Sequence, residues 1–342
     1  MKPANDISRR KSEHIQIVLN EPVNSSLSNG FEKYQFEHQA LPEIDLAEVD
    51  LRTSFLNREL KSPLLISSMT GGSNETVQIN RVLARVAQES GIALGVGSQR
   101  AGLEDPEKMA SFRVRNVAPD ILLLSNLGAV QLNYSYTVEH CQRAVDEIGA
   151  DALILHLNPL QEALQPEGNT NFKGLLKKIE TICKQLTVPV IVKEVGWGIS
   201  PKVARELASA GVAAIDVAGA GGTSWSEVEK FRIKDEMRRK VAEGFKNWGI
   251  PTADSIIKVK EGAPSIEIIA SGGLINGIEV AKSIALGASL AGMAARFIKS
   301  ASVSEEDTYK LVSEINLQLR ICMFVAGVKD IQTLKQVKLK RI

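Results

Sequence analysis

Ile268-Ile-Ala-Ser-Gly-Gly-Leu-Ile-Asn-Gly277, followed by Leu286-Gly-Ala-Ser-Leu-Ala-Gly-Met-Ala-Ala295, is the stretch on which the fold turns. Each half begins as a short apolar strand and ends in small residues, with a helical pattern between them. Glycines at the carboxyl ends of two successive strands leave backbone N–H groups uncovered, and a nearby helix N-terminus adds positive dipole. Together they make a phosphate cradle. In a (β/α)8 barrel such a cradle follows strands seven and eight. Tight βα turns alone would use the same glycines, so the remainder of the chain has to arbitrate.

Working outward, short apolar runs recur from Pro63 onward: 64–68, 93–96, 121–124, 152–157, 190–193, 213–217, 266–270 and 289–293. Between them lie stretches such as Ile79-Asn-Arg-Val-Leu-Ala-Arg-Val-Ala87 and Val203-Ala-Arg-Glu-Leu-Ala208, with apolar residues at helical spacing. Nearly continuous apolar strands alternating with helices predict a parallel sheet covered by helices. Eight such units close an α/β (β/α)8 TIM barrel, and an open doubly wound sheet is the alternative. Residues 1–62 are polar and turn-rich and form an N-terminal extension, 63–325 the barrel, and 326–342 a basic tail. That tail, Lys335-Gln-Val-Lys-Leu-Lys-Arg-Ile342, reads as a solvated end rather than a binding patch.

The 342 residues are 44% apolar and 24% charged, and 41 basic side chains face 40 acidic ones, so there is no general attraction to nucleic acid. Cys141, Cys183 and Cys322 are far apart, which excludes a disulfide framework, a cysteine zinc site and an iron–sulfur cluster. No apolar run approaches the ~20 residues of a membrane span, and Met1-Lys-Pro-Ala-Asn-Asp lacks an apolar signal core. The expected location is cytoplasmic.

Polar residues gather at the expected carboxyl ends of the strands: Ser68-Met-Thr-Gly-Gly72, Ser98-Gln-Arg100, Ser125-Asn126, His156-Leu-Asn158, Lys193-Glu194 and Thr223-Ser-Trp225. Lys193 is the sharpest. Strand side chains alternate, so Lys193 and Glu194 face opposite ways, and an inward lysine is costly to bury unless it meets an anion or works as a neutral amine. A structural ion pair is the blander account. His156 is joined on one loop by Asn158, Gln161 and Glu162, and Glu162 suits a hard cation, since Mg2+ commonly takes one carboxylate plus phosphates and water. Long connections at 159–172 and 219–225 fit functional loops. No histidine follows residue 156, and residues 219–226 hold no cysteine. Those absences exclude a flavin-dependent 2-hydroxy-acid oxidase and an inosine-monophosphate dehydrogenase.

Taken together, these segments resemble the type 2 (FMN-dependent) isopentenyl-diphosphate Δ-isomerase family. The match runs through Arg10-Lys11 with His14, His38-Gln-Ala-Leu-Pro-Glu43, Ser67-Ser-Met-Thr-Gly-Gly72, Gly95-Val-Gly-Ser-Gln-Arg100, Asn126-Leu-Gly128, His156-Leu-Asn-Pro-Leu-Gln-Glu162, Val192-Lys-Glu-Val-Gly196, Gly219-Ala-Gly-Gly-Thr-Ser-Trp225 with Glu229, and Ser271-Gly-Gly273. It departs at Glu13, where an acid of either length is common, and at Ala295-Arg-Phe297, where Arg-Pro is more usual.

The resemblance implies a barrel that binds FMN, Mg2+ and isopentenyl diphosphate, with NADPH as reductant. The implied reaction is a 1,3-proton shift to dimethylallyl diphosphate. By similarity, Ser68, Met69, Thr70, Ser98, Asn126, Lys193, Thr223, Gly272, Gly273, Ala294 and Ala295 hold FMN. Arg10, Lys11, Ser98, Gln99, Arg100 and Gln161 hold substrate, and Glu162 holds the metal. His156, Asn158, Gln161, Lys193, Trp225 and Glu229 are the set closest to the chemistry. Reduced flavin is the acid–base group in this reading, with Gln161 orienting substrate and Glu229 at most relaying protons. Family habit favours a homo-oligomer, a tetramer or octamer. Two competitors come from other classes. A Schiff-base lyase would use Lys193 and be colourless, and a phosphate-binding module would leave Lys193, His156 and Gln161 without roles.

Overall fold

The computed structural model describes residues 4–69, 71–72 and 74–342. Eight parallel strands close on themselves: β1 (Leu64–Ile66), β2 (Ala93–Gly95), β3 (Leu123–Gly128), β4 (Ala152–His156), β5 (Val190–Lys193), β6 (Ala214–Asp216), β7 (Glu267–Ser271) and β8 (Leu290–Met293). β8 pairs with β7 through Leu290 opposite Ile269, and with β1 through Ala291 opposite Leu64. That closure decides against an open sheet.

Each apolar run holds one strand, but β3 is displaced. It starts at Leu123 and continues through Ser125 and Asn126 to Gly128, paired with β4 as far as His156. Polar side chains end the apolar run at Leu124 without ending the strand, because inward positions at this level face a cavity instead of a core.

The pleat explains what lines that cavity. Leu65, Ala93, Leu124, Ile154, Ile191, Ala214, Ile269 and Leu290 fill the barrel interior. Their neighbours Leu64, Ile66, Val190, Val192, Ile215 and Ile268 pack outward into the larger core beneath the helices. With a period of two, the next inward positions are Ser67, Gly95, Asn126, His156, Lys193, Asp216, Ser271 and Gly292. An apolar plug therefore gives way, within one layer, to polar groups and glycine. Lys193 faces inward, as its place in Val190-Ile-Val-Lys requires.

The helical patterns at 79–87 and 203–208 lie inside helices Asn74–Ser90 and Pro201–Ser209. The second is started by Ser200, whose hydroxyl accepts from Val203 N, and by Pro201 in the first turn. Its Leu207 is 2% exposed, and such burial contributes roughly 1.5–3 kcal/mol. The stretch 159–172, read as a long loop, opens instead as helix Pro159–Leu164. Proline at its first position fits, since that residue's missing N–H would have had no partner in the helix.

The extension begins with helix Ala4–Asn20, which lies over the carboxyl end of the barrel against helices Trp225–Arg232 and Arg100–Glu104. Later in the extension, Tyr34–Gln35 pairs antiparallel with Lys340–Arg341. The basic tail keeps Lys338, Lys340 and Arg341 exposed, yet its backbone is tied down and Leu334 before it is fully buried. Among the described residues, no helix is long and apolar enough to cross a membrane.

Candidate active site

Two adjoining cavities open at the carboxyl ends of the strands. The larger, about 390 Å3, is walled by Ser67, Gly219, Gly221, Gly222, Thr223, Ser271, Gly272, Gly273, Gly292, Ala294, Ala295 and Arg296. The smaller, about 150 Å3, is lined by Arg10, Lys11, His14, Ser98, Arg100, Asn126, Gln131, His156, Asn158, Gln161, Glu162 and Gln165. Ser68, Met69, Lys193, Val195 and Trp225 belong to both.

The larger cavity is the cradle expected from the glycine-rich strand ends. Gly272 and Gly273 have φ of +108° and +79°, and a Cβ on Gly273 would lie 2.3 Å from Gly221 O. Only glycine fits there. Helix Ala295–Val303 starts at the same wall and turns its N-terminus toward the cavity. The hydroxyls of Ser67 and Ser68 are buried without a partner among the described residues. Uncovered donors beside a helix N-terminus suit a phosphate, and the two serine hydroxyls suit the polar edge of a ring.

Lys193, 8% exposed, stands where the cavities meet, and its Nζ donates to Glu194 O at 2.7 Å. Glu194 turns the other way and accepts from the N–H groups of Val195, Gly196 and Trp197. Burial pushes its carboxyl up to about 7 against the pull of those donors. Asp216, paired in register with Lys193 on the next strand, is a buried carboxylate that hydropathy reading passed over. Its Oδ1 accepts from Ser271 Oγ at 2.5 Å and from Ala218 N at 3.2 Å, and burial raises its proton affinity.

The smaller cavity is cationic. Lys11 donates to Ser98 O and lies 5.0 Å from the centre of the Phe112 ring. Burial, followed by Arg10, Arg100 and Lys108, pushes its ammonium down to about 7. Burial also lowers Arg10, opposed by the carboxylates of Glu162 and Glu229. Arg100 pairs with Glu104 at 2.9 Å. Three converging cations that burden one another are an anion site in waiting.

His156 Nδ1 lies 2.8 Å from Asn126 Oδ1, and burial together with Lys193, Lys11 and Arg10 holds the imidazole down to about 3, hence neutral. Glu162 Oε1 accepts from Asn158 Nδ2 at 3.1 Å, and Oε2 from Gln165 Nε2 at 2.6 Å. Asn158 also donates to Gln161 Oε1 at 3.1 Å, while its own Oδ1 is buried and unpartnered among the described residues. Among those residues no group of three or more His, Cys, Asp or Glu could hold a metal ion. Glu162 is thus a single carboxylate at the rim of a cationic cavity.

Most residues singled out in the sequence converge here, with four differences. Gln99 is fully buried and lines neither cavity. Its Nε2 donates to Ala144 O at 2.8 Å and its Oε1 accepts from Ser125 Oγ and Asn126 N, so it braces the barrel wall. Ser98 and Asn126 open only on the cationic cavity, not on the glycine-walled one. Glu229 stands behind Gln161, whose Nε2 donates to its Oε1 at 3.0 Å. Thr70 lies outside the described residues. Sequence reading assigned no role to Gln131, Gln165, Asn24, Arg296 or Asp216. Arg296 stood within the quoted Ala295-Arg-Phe297 and Gln165 within the connection 159–172, but the others carry no local pattern that sets them apart.

The FMN-dependent dehydrogenase family matches residues 161–341, half of the chain. An isopentenyl-diphosphate delta-isomerase of Rickettsia bellii (strain RML369-C) is 50% identical over 332 residues, 97% of each chain. One of Synechococcus sp. (strain ATCC 27144 / PCC 6301 / SAUG 1402/1) is 52% identical over 331 residues, 96% of this chain and 95% of its own. A solved mandelate oxidase variant with a monooxide FMN adduct superimposes over the whole of both chains with a TM-score of 0.66 at 16% identity, a likeness of fold alone. The barrel fold is thus shared with other proteins, whereas identity along nearly the full length, extension included, is shared with the isomerases: the chain belongs to the isopentenyl-diphosphate delta-isomerase family.

Proposed function

We propose that this chain interconverts isopentenyl and dimethylallyl diphosphate by a 1,3-proton shift, with FMN in the glycine-walled cavity and the substrate in the cationic one. The observation that carries this reading is the junction. Met69, Lys193, Val195 and Trp225 wall both cavities, so a ring in one adjoins an alkene in the other. Bound FMN, reduced by NADPH, supplies an electron-rich face for a developing tertiary cation and an exchangeable proton at N5.

The chain's own residues do the rest. Gly272, Gly273 and the N-terminus of helix Ala295–Val303 take the cofactor phosphate. Lys193 brings positive charge to the junction and favours an anionic ring. Arg10, Lys11 and Arg100 take the diphosphate, with Mg2+ held by Glu162, phosphate oxygens and water. Binding energy gathered at the diphosphate, remote from the reacting carbon, holds the alkene in place. Met69, Val195 and Trp225 exclude water from a cation that water would trap. Gln161 orients the substrate. His156 is neutral and adds no further charge.

A visible spectrum of the purified protein and an isomerisation assay with and without reductant test the proposal. A yellow protein active only when reduced is expected. A colourless protein, or full activity with oxidised flavin under strict exclusion of reductant, overturns it.

A further inference from the structure

Gly219, Gly221, Gly222, Gly272 and Gly273 make up much of the two loops that wall the larger cavity. Glycine backbone is the costliest to order and the easiest to flip. Bracing has to come from elsewhere, and residues 23–29 of the extension provide it. Asn24 forms an isolated bridge with Thr223, Ser25 N donates to Gly222 O at 2.8 Å, and Ser224 N donates to Val23 O at 2.8 Å.

Asn29 closes the seam. It is 8% exposed, its Nδ2 donates to Gly273 O at 2.9 Å, and its Oδ1 accepts from Phe31 N at 3.1 Å. Its own carbonyl accepts from Ala253 N at 2.9 Å. The packing has no slack, since a Cβ on Gly221 would lie 2.3 Å from Asn29 N.

We infer that residues 23–29 are a third wall of the phosphate cradle, and that Asn29 is the positioning residue that keeps the Gly273 carbonyl out of it. A peptide flip at Gly273 would turn a carbonyl oxygen toward the anion and remove a donor from it. Engaging that oxygen from behind prevents the flip. The extension therefore serves both cavities: its helix supplies cations to one, and the segment after the helix shapes the other. This inference rests on the flavin reading above and deepens it.

The test is titration of the full-length chain, freed of flavin, with FMN and with riboflavin, which has the same ring but no phosphate. Asn29→Ala is expected to weaken FMN binding about tenfold, the scale of one hydrogen bond. Riboflavin affinity should stay within about twofold. Equal losses for both flavins, or no loss for either, overturn the inference. If Asn29→Ala does not fold, Asn29→Ser, which is too short to reach Gly273 O, is read by the same ratio. Wild-type chain that binds neither flavin overturns the flavin reading itself, and this inference with it.

Discussion

His14 Nε2 lies 2.9 Å from Glu229 Oε1, which fastens the N-terminal helix to the helix that follows the sixth barrel strand. The contact sits within a larger knot. Arg232 reaches Glu229 at 2.7 Å, Glu13 at 3.0 Å and Glu167 at 3.2 Å, and His14 packs edge-on against Trp225 with ring centres 5.1 Å apart. Burial lowers the His14 imidazole, so it is neutral near pH 7 and Arg232 is the permanent positive partner.

Glu229 follows from this. Burial works to raise its carboxyl, but the His14 contact, Arg232 and the Gln161 amide outweigh that and hold it below the usual carboxylate range. A carboxyl depressed on folding contributes stability that is present above its unfolded value and lost as pH falls through the folded one. Stability of the wild type should therefore fall between roughly pH 5 and pH 2, while Glu229→Gln shows a shallower fall and is less stable at pH 7 by about 3 kcal/mol. Identical pH slopes for the two proteins would refute it. A carboxylate so held is also a poor resting acid for an alkene.

Lys11 points the other way. Its ammonium is pushed down to about 7 in the free site, and a diphosphate beside it would restore the charge. Binding should take up a proton when the pH is above that value. The gain in affinity for inorganic pyrophosphate over Lys11→Met should be greatest below about pH 7 and fall by up to about tenfold per unit above it. Calorimetry in two buffers of different ionisation enthalpy, with Lys11→Met as the comparison, measures the uptake. Equal proton uptake by the two proteins would show that the lysine does not titrate on binding.

Arg100→Ala tests the cationic cavity directly. A charge-assisted contact is worth ~1.5–3 kcal/mol, so substrate affinity should drop by roughly one to two orders of magnitude. Flavin content should not change. A loss of flavin with substrate affinity intact would place Arg100 with the wrong ligand.

For Glu162 the readout is metal. With one carboxylate to offer, Glu162→Gln should raise the Mg2+ concentration needed for half-maximal activity at least about tenfold while leaving the flavin spectrum as it was. An unaltered Mg2+ dependence would mean that phosphates and water hold the metal without the protein.

Residues 63–295 show which parts of this architecture are written locally. Strand after strand grows from an apolar run of four to six residues, and the period-two pleat alone turns Lys193 inward beside Ile191. Gly272 and Gly273 announce a cradle because no other residue adopts their backbone cheaply. Each of these properties is settled within a few residues of itself, so composition and spacing determined them: eight βα units, a glycine-walled end, and a rim of polar side chains.

Partnership over long separations was decided only by the packed chain. Gln99 lies in a motif with Ser98 and Arg100, yet its amide turns to Ala144 and Ser125 in the barrel wall, because the helix starting at Arg100 aims its neighbours differently. Glu229 meets His14, and Asn29 meets Gly273, across more than 200 residues that no periodicity connects. Asp216 reads as one acid in an apolar strand until β5 sets Lys193 beside it. Local pattern records what a residue can do with its neighbours in the chain. Which distant groups surround it, and hence its charge state and its role, depends on the closure of the barrel and the path of the extension across its mouth.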